Sequence, residues 1–269
     1  MKPAAFAYAR ARSLDHAIAL IGGEPEARVL AGGQSLIATL NMRLSHPRLL
    51  VDINHVSGLD GIAARDGVLE IGALVRHAQA ERSAEIAARA PVLAKALPHV
   101  GHPAIRNRGT IGGSIAFGDP AAELPACLLA LGGEVVIAGH AGQRTVQADD
   151  FYQGLFETAL APGEIVTAIR VPAATADTRV GFAEFARRHG DYAIAGLAAT
   201  ARARGQGFAE VRLAFFGVGA TPLRARGAEA ALAKDLDPPD DVQASSAVKR
   251  HLAGVLLRRV ARELMEVRS

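Results

Sequence analysis

The chain has 269 residues, half of them hydrophobic, which is enough length for two domains and enough apolar mass for a sizeable core. A net charge of +3, interspersed basic and acidic residues, scarce aromatics and no Trp argue against a nucleic-acid face or a base-stacking platform. No run reaches the roughly eighteen apolar residues of a membrane span, and the start lacks the apolar core of a secretory signal, so a soluble, cytoplasmic protein is expected.

Ser13 reads as a helix N-cap, with Leu14, Ala17, Ile18 and Ile21 following at helical spacing and Gly22–Gly23 closing the helix. Arg28–Leu30 reads as a short strand running into a glycine turn, and Leu49–Ile53 and Val68–Ile71 as two further strands. The Ala-rich stretch 76–97 predicts a helix interrupted by Pro91. From 101 to 126 the chain is rich in Gly and Pro and poor in periodicity, and Pro125–Leu131 predicts a helix ending at Gly132–Gly133. Glu134–Ala138, Gln143–Val146 and Ile165–Val171 read as strands. A composition shift at 172–179 marks the best linker. Beyond it, strands near 180–186, 193–203 and 209–216 alternate as in an antiparallel sheet, and helices near 225–234 and 246–266 close the chain. In the last helix Val248, Leu252, Val255, Leu256 and Val260 form an apolar stripe, which reads as a packing face. The architecture is α+β, with a larger domain followed by a smaller one.

The single cysteine, Cys127, excludes an internal disulfide and any cluster ligated by cysteines of this chain alone. It lies in an apolar run and reads as a small buried hydrophobe. The nine histidines show no metal-ligand spacing, so redox chemistry here would need a bound organic cofactor.

Two segments depart from packing logic. Ala31, Gly32, Gly33, Gln34, Ser35 and Leu36 form one, in which paired glycines let the backbone turn and approach a ligand while N–H groups and a hydroxyl serve as donors. Thr110, Ile111, Gly112, Gly113 and Ser114 form the other, with the same chemistry. One such turn means little, but two suggest a clamp on a diphosphate. Neither is a P-loop, and Gly217-Val218-Gly219 is followed by Pro222 where a Rossmann fingerprint needs a third glycine.

With these motifs in order, the sequence resembles the FAD-binding, medium subunit of the molybdenum hydroxylases, a family that includes carbon monoxide dehydrogenase and xanthine dehydrogenase. The resemblance runs through AGGQSLIATLNMRL, LVDINHV, IGALVRHA, IRNRGTIGGS, GDPAAELPA, LAPGEIVTAIRVP, RRHGDYAIAG, GATPLRA and KRHLAGVLLRRV. It implies a two-subdomain FAD-binding fold of PCMH type over 1–175, divided near residue 56, and a C-terminal domain of the medium-subunit flavoprotein type over 178–269. It implies non-covalent FAD held between the subdomains, with the pyrophosphate at Ala31–Ser35 and Thr110–Ser114. The family often has Asn at Ser114. Glu123 matches an acidic residue that helps bind the FAD chain, where some members have Asp. Tyr192 matches a tyrosine beside the isoalloxazine ring, with a core aromatic as the other reading. His77 falls in the family's GAxxxH pattern, either near the flavin or as a helix-surface histidine. Asp119 is a second acidic candidate or a cap for the following helix, and Arg106 and Arg108 offset phosphate charge or are solvated loop charges.

The resemblance also implies partners: a molybdopterin-binding large subunit and a small subunit with two [2Fe–2S] clusters, assembled as a dimer of heterotrimers. Electrons would pass from the clusters through FAD to quinone, oxygen or a nicotinamide, and this chain alone would not act on substrate. A free-standing FAD oxidase and a non-catalytic assembly subunit are the alternatives.

Overall fold

The computed structural model describes residues 2–205, 207–226 and 244–265. The expected α+β class is what it shows: three main sheets with helices packed between and upon them. The first sheet is parallel, in the order β1 (Ala7–Arg10), β3 (Leu49–Asp52), β2 (Ala27–Leu30). Helix α1 (Leu14–Gly22) covers it, its N-terminus fixed by Ser13, whose hydroxyl accepts from the His16 N–H. Ile18 and Ile21 meet Val51, Ile53 and Leu74 in one apolar cluster. A short helix α2 (Leu36–Asn41) follows directly on the first glycine turn.

The second sheet is antiparallel and five-stranded. Its strands are β4 (Ile62–Arg65), β5 (Val68–Gly72), β6 (Glu134–Gly139), β7 (Gly142–Gln147) and, after a small hairpin of β8 (Tyr152–Gly154) and β9 (Glu157–Thr158), β10 (Ile165–Pro172). Their spatial order is β4-β5-β10-β6-β7, so the longest strand lies at the centre.

The helix predicted over 76–97 with an interruption at Pro91 does break there, and it breaks once more at Ser83, giving three short helices, α3 (His77–Glu81), α4 (Ala84–Arg89) and α5 (Pro91–Ala96). Ser83 caps α4 through the Ile86 N–H, and Pro91 stands at the first turn of α5, where its missing N–H costs nothing. A 3-10 turn, Leu97–His99, and α6 (Pro103–Arg106) follow. The stretch read as aperiodic holds α7 (Ile111–Phe117), started by Thr110, whose hydroxyl accepts from the Gly113 N–H at 3.1 Å. Then α8 (Glu123–Leu131) runs between the second and third sheets. Buried over nearly its whole length, it is apolar all round from Leu124 onward, and Cys127 within it is fully buried. The four-residue α9 (Ala148–Phe151) leads into the β8–β9 hairpin.

The third sheet, β11 (Thr178–Phe185), β12 (Ala195–Arg204), β13 (Gly207–Phe216) and β14 (Leu223–Arg224), is antiparallel throughout. Its far face is covered by α10 (Ser246–Met265). The buried stripe of that helix is Lys249, Ala253, Leu256, Val260 and Leu264. Val248 is 47% exposed, so the stripe expected from the sequence is rotated slightly: Leu256 and Val260 are buried, Leu252 packs against the same cluster, and Val248 falls outside it. The helix expected near 225–234 lies almost wholly outside the described residues.

Candidate functional site

A cleft of about 900 Å³ opens between the first sheet and the second, at the upper end of the range for ligand pockets of roughly 300–1,000 Å³. Ala31, Gly32, Gly33, Gln34, Ser35 and Leu36 line it from one side, and Thr110, Gly112, Gly113 and Ser114 from the other. His77, Glu123 and Tyr192 also face it. Of the residues singled out in the sequence, Ile111 does not: its side chain is fully buried in the main core, and its N–H is bonded to the Val75 carbonyl.

The first glycine segment packs against the chain just before the second. A Cβ on Gly32 would sit 2.5 Å from the Arg108 carbonyl oxygen and 2.8 Å from Gly109 Cα. A hydrogen-bonded clamp reinforces the contact. Tyr8 Oη donates to Asp52 at 2.6 Å, and Asn54 Nδ2 bridges Asp52 at 2.7 Å and the Ala31 carbonyl at 2.8 Å. Arg76 donates to Asn54 Oδ1 at 2.7 Å with one guanidinium nitrogen and to the Arg108 carbonyl with another. None of this clamp was singled out in the sequence; the Asp52-x-Asn54 spacing, an Asx turn closed by the Asn54 N–H at 2.9 Å, was the available signal.

The two segments differ in what they offer. In the first, the N–H groups of Gly33, Gln34, Ser35 and Leu36 have no hydrogen-bond partner among the described residues. Gly33 takes φ +73°, a left-handed conformation that glycine adopts without strain. In the second, the N–H groups of Ile111, Gly112, Gly113 and Ser114 are all bonded within the protein. Its glycines serve packing: a Cβ on Gly112 would meet Ala73 Cβ at 2.3 Å.

His77 is buried, not on a helix surface as one reading had it, and neither ring nitrogen has a hydrogen-bond partner. Its ring lies against Gly109, where a Cβ would approach Nδ1 to 2.8 Å. Burial lowers its pKa to about 4, so the imidazole faces the cleft neutral. Burial raises the Glu123 carboxyl to about 8, aided by the negative field of Glu184 and Asp119. Asp119 also lines the cleft, and its Oδ1 accepts from the Ala121 N–H at 2.9 Å; it closes the turn before α8, whose cap position is Ala122. Tyr192 is 54% exposed, not a core aromatic, and its phenol faces the Ser35 hydroxyl and the Asp119 carboxylate. Arg106 offsets no phosphate: it is buried, paired with Glu81 at 2.8 Å, and donates to the Gly101 carbonyl at 2.9 Å. Arg108 is exposed on the loop.

Free main-chain donors, a hydroxyl at Ser114 and a neutral buried imidazole with unmet hydrogen-bonding capacity suit a long, anionic, heteroaromatic ligand. The fold and cleft are those of an FAD-binding domain. Residues 4–174 match the FAD binding domain in molybdopterin dehydrogenase, and residues 181–234 match the CO dehydrogenase flavoprotein C-terminal domain. The 6-hydroxypseudooxynicotine dehydrogenase complex subunit alpha of Paenarthrobacter nicotinovorans is 42% identical over 91% of this chain and 84% of its own length. The nicotine 6-hydroxylase medium subunit of the same organism is 36% identical over 96% and 97%. A chain of carbon monoxide dehydrogenase from Hydrogenophaga pseudoflava superimposes with a TM-score of 0.95 at 35% identity, over 98% of both chains. The chain belongs to the FAD-binding medium subunits of the molybdenum hydroxylase family, and is a subunit of an oxidoreductase.

No group of three or more His, Cys, Asp or Glu among the described residues could hold a metal ion, and no helix there is long and apolar enough to cross a membrane.

Proposed function

We propose that this chain holds one FAD, non-covalently, in the cleft and relays electrons from the [2Fe–2S] clusters of a small partner subunit to an external acceptor. The observation that carries the reading is the pairing of four unpartnered main-chain donors at Gly33–Leu36 with the neutral, unpartnered imidazole of His77 in one large cleft. The Gly33–Leu36 amides and the Ser114 hydroxyl would hold the pyrophosphate, and His77 would donate to or accept from the cofactor. Tyr192, at the mouth, would stand beside the flavin ring and limit access to it. A bound flavin exchanges one electron or two, so it can join a one-electron cluster chain to a two-electron acceptor. We further propose the molybdopterin-binding large subunit as the place of substrate hydroxylation, a dimer of heterotrimers as the assembly and the cytoplasm as its location. The FAD-binding domain would span 1–175, with subdomains meeting near residue 56, and the C-terminal domain 178–269.

Acid precipitation of the purified chain tests the cofactor assignment. Yellow colour should pass to the supernatant, with one flavin per chain. Colour retained in the pellet would show covalent attachment, and a colourless protein that takes up no FAD would leave the assembly-subunit alternative.

A further inference from the structure

At the seam between the two matched regions lies a second, smaller pocket, of about 160 Å³. Asp149 of α9 and Tyr152 of β8 line it from the first region, and Thr221, Arg224 and Arg226, in and beside β14, from the second. None of its described lining residues lines the cleft.

Its charge is unbalanced. Asp149 is the one acidic residue among the described lining residues, and three arginines converge on it. Arg212 Nη2 donates to Asp149 Oδ2 at 2.9 Å and Arg224 Nη1 to the same oxygen at 3.2 Å, while Arg226 Nη2 lies 3.1 Å from Oδ1. Three guanidiniums against one carboxylate leave two positive charges over. Two groups also have hydrogen-bonding capacity to spare: Arg224 Nε and Tyr152 Oη are both buried with no hydrogen-bond partner. Buried donors without acceptors are costly and call for a water or an ion. Burial disfavours the charge on Arg224, as do Arg212 and Arg226, and Asp149 offsets only part of this.

The chemistry selects the ligand. The arginines repel a cation, and a neutral molecule leaves the surplus charge uncompensated. A monocarboxylate cancels one charge and brings two oxygens to the donors of Arg224, Arg226, Tyr152 and Thr221. A tetrahedral dianion cancels both charges and brings more oxygens. At about 30 Å³ per water the pocket holds roughly five waters, which is room for such an ion with part of its hydration.

We propose that this pocket binds a dianionic oxyanion, inorganic phosphate or the phosphate end of a small ester, which staples the second matched region to the first. The Arg226 guanidinium, the Arg224 Nε–H and the Tyr152 and Thr221 hydroxyls are its donors, and Asp149 holds the arginines in place. The proposal stands apart from the cofactor reading.

The test titrates inorganic phosphate calorimetrically into the full-length chain, in buffer free of phosphate and sulfate, with and without saturating FAD. One phosphate per chain should bind, with equal affinity in both conditions. Two variants should each bind it roughly tenfold or more weakly. They are Arg226→Ala, at a side chain 67% exposed and so removable without disturbing the fold, and Tyr152→Phe, which deletes one oxygen. Saturating phosphate should raise the melting temperature of the native chain and leave that of Arg226→Ala where it was. Acetate should bind roughly tenfold more weakly than phosphate. Glycerol phosphate binding as tightly as phosphate assigns the site to an ester, and much weaker binding assigns it to the free ion. No saturable phosphate binding up to about 10 mM overturns the proposal, as does native affinity in both variants or acetate binding as tight as phosphate. Displacement of phosphate by FAD would put the ion in the cleft and overturns it too. A chain that takes up no FAD, yet binds phosphate and loses it in both variants, sinks the cofactor reading and leaves this site standing.

Discussion

Replacing Gly32 by Ala should cripple cofactor binding without placing any atom in the cofactor's path. The new Cβ would lie 2.5 Å from the Arg108 carbonyl oxygen and 2.8 Å from Gly109 Cα. Both obstacles are backbone, so no side chain can swing aside. Ordinary carbon contacts begin near 3.4 Å, so the two glycine segments must part by about 0.9 Å. Overpacking of this kind costs about 1–3 kcal/mol, which should lower the melting temperature of the flavin-free protein by roughly 2–12 °C. The movement also separates the Gly33–Leu36 amides from the donors across the cleft. Losing one hydrogen bond to a charged phosphate is worth about 1.5–3 kcal/mol, so FAD should bind roughly 10- to 100-fold more weakly. Calorimetric titration of FAD into the flavin-free protein, with melting curves at each FAD concentration, measures both effects. Gly61→Ala is the control, since nothing lies within 4 Å of its Cβ position. Native FAD affinity in Gly32→Ala would refute the claim that the two segments act as one cradle.

Gly112→Ala should destabilise more, because its Cβ meets Ala73 at 2.3 Å, and saturating FAD should not restore the melting temperature. His77 has a folded pKa of about 4 against an unfolded 6.5, so the unfolded chain binds more protons; stability should fall by about 3 kcal/mol as pH drops from 6.5 towards 4, and His77→Phe should flatten that slope in denaturant titrations. Glu123 has the opposite sign: held up at about 8, its contribution is full below about 4.5 and lost as pH rises through 8, so Glu123→Gln should gain on the native protein over that window. Arg76→Lys, which cannot span Asn54 and Arg108 with one planar fork, should weaken FAD binding about tenfold, by fluorescence titration, and Asn54→Ala at least as much. Tyr192→Ala should change the rate of flavin reduction or its reaction with oxygen more than it changes FAD retention, because the side chain stands exposed at the cleft mouth.

Elements with a local signal were legible in the chain itself. Ser13 announces α1 because its side chain does the capping, and the strands from Glu134 to Val171 alternate or run apolar as a half-covered sheet requires. Elements decided by tertiary contact were not. Helix α7 carries two adjacent glycines, poor helix formers, and exists because Thr110 caps it and Ala73 packs against Gly112. The stretch over 76–97 is a mixed case: its break at Pro91 was legible, while the second break, where Ser83 caps a new helix, was not singled out. Both glycine segments stood out in the sequence and both line the cleft, but only the fold reveals that the second spends its amides inside the protein. Nothing in the spacing around His77 distinguishes a surface histidine from one buried against Gly109 at the cleft wall, and nothing around Arg106 foretells its pairing with Glu81, 25 positions away. The clamp of Tyr8, Asn54 and Arg76 draws on three distant segments, so the local Asx turn at Asp52 and Asn54 hints at one corner of it and not at the whole.

The central claim, that this chain relays electrons and does not itself act on substrate, is tested most directly by anaerobic mixing of purified subunits. With the molybdenum and iron–sulfur partners present, the complex's substrate should bleach the flavin of this chain; with the chain alone, substrate should leave the flavin oxidised while a chemical reductant still bleaches it. Turnover of substrate by the isolated chain at the rate of the full complex would contradict the account and make it a free-standing oxidase.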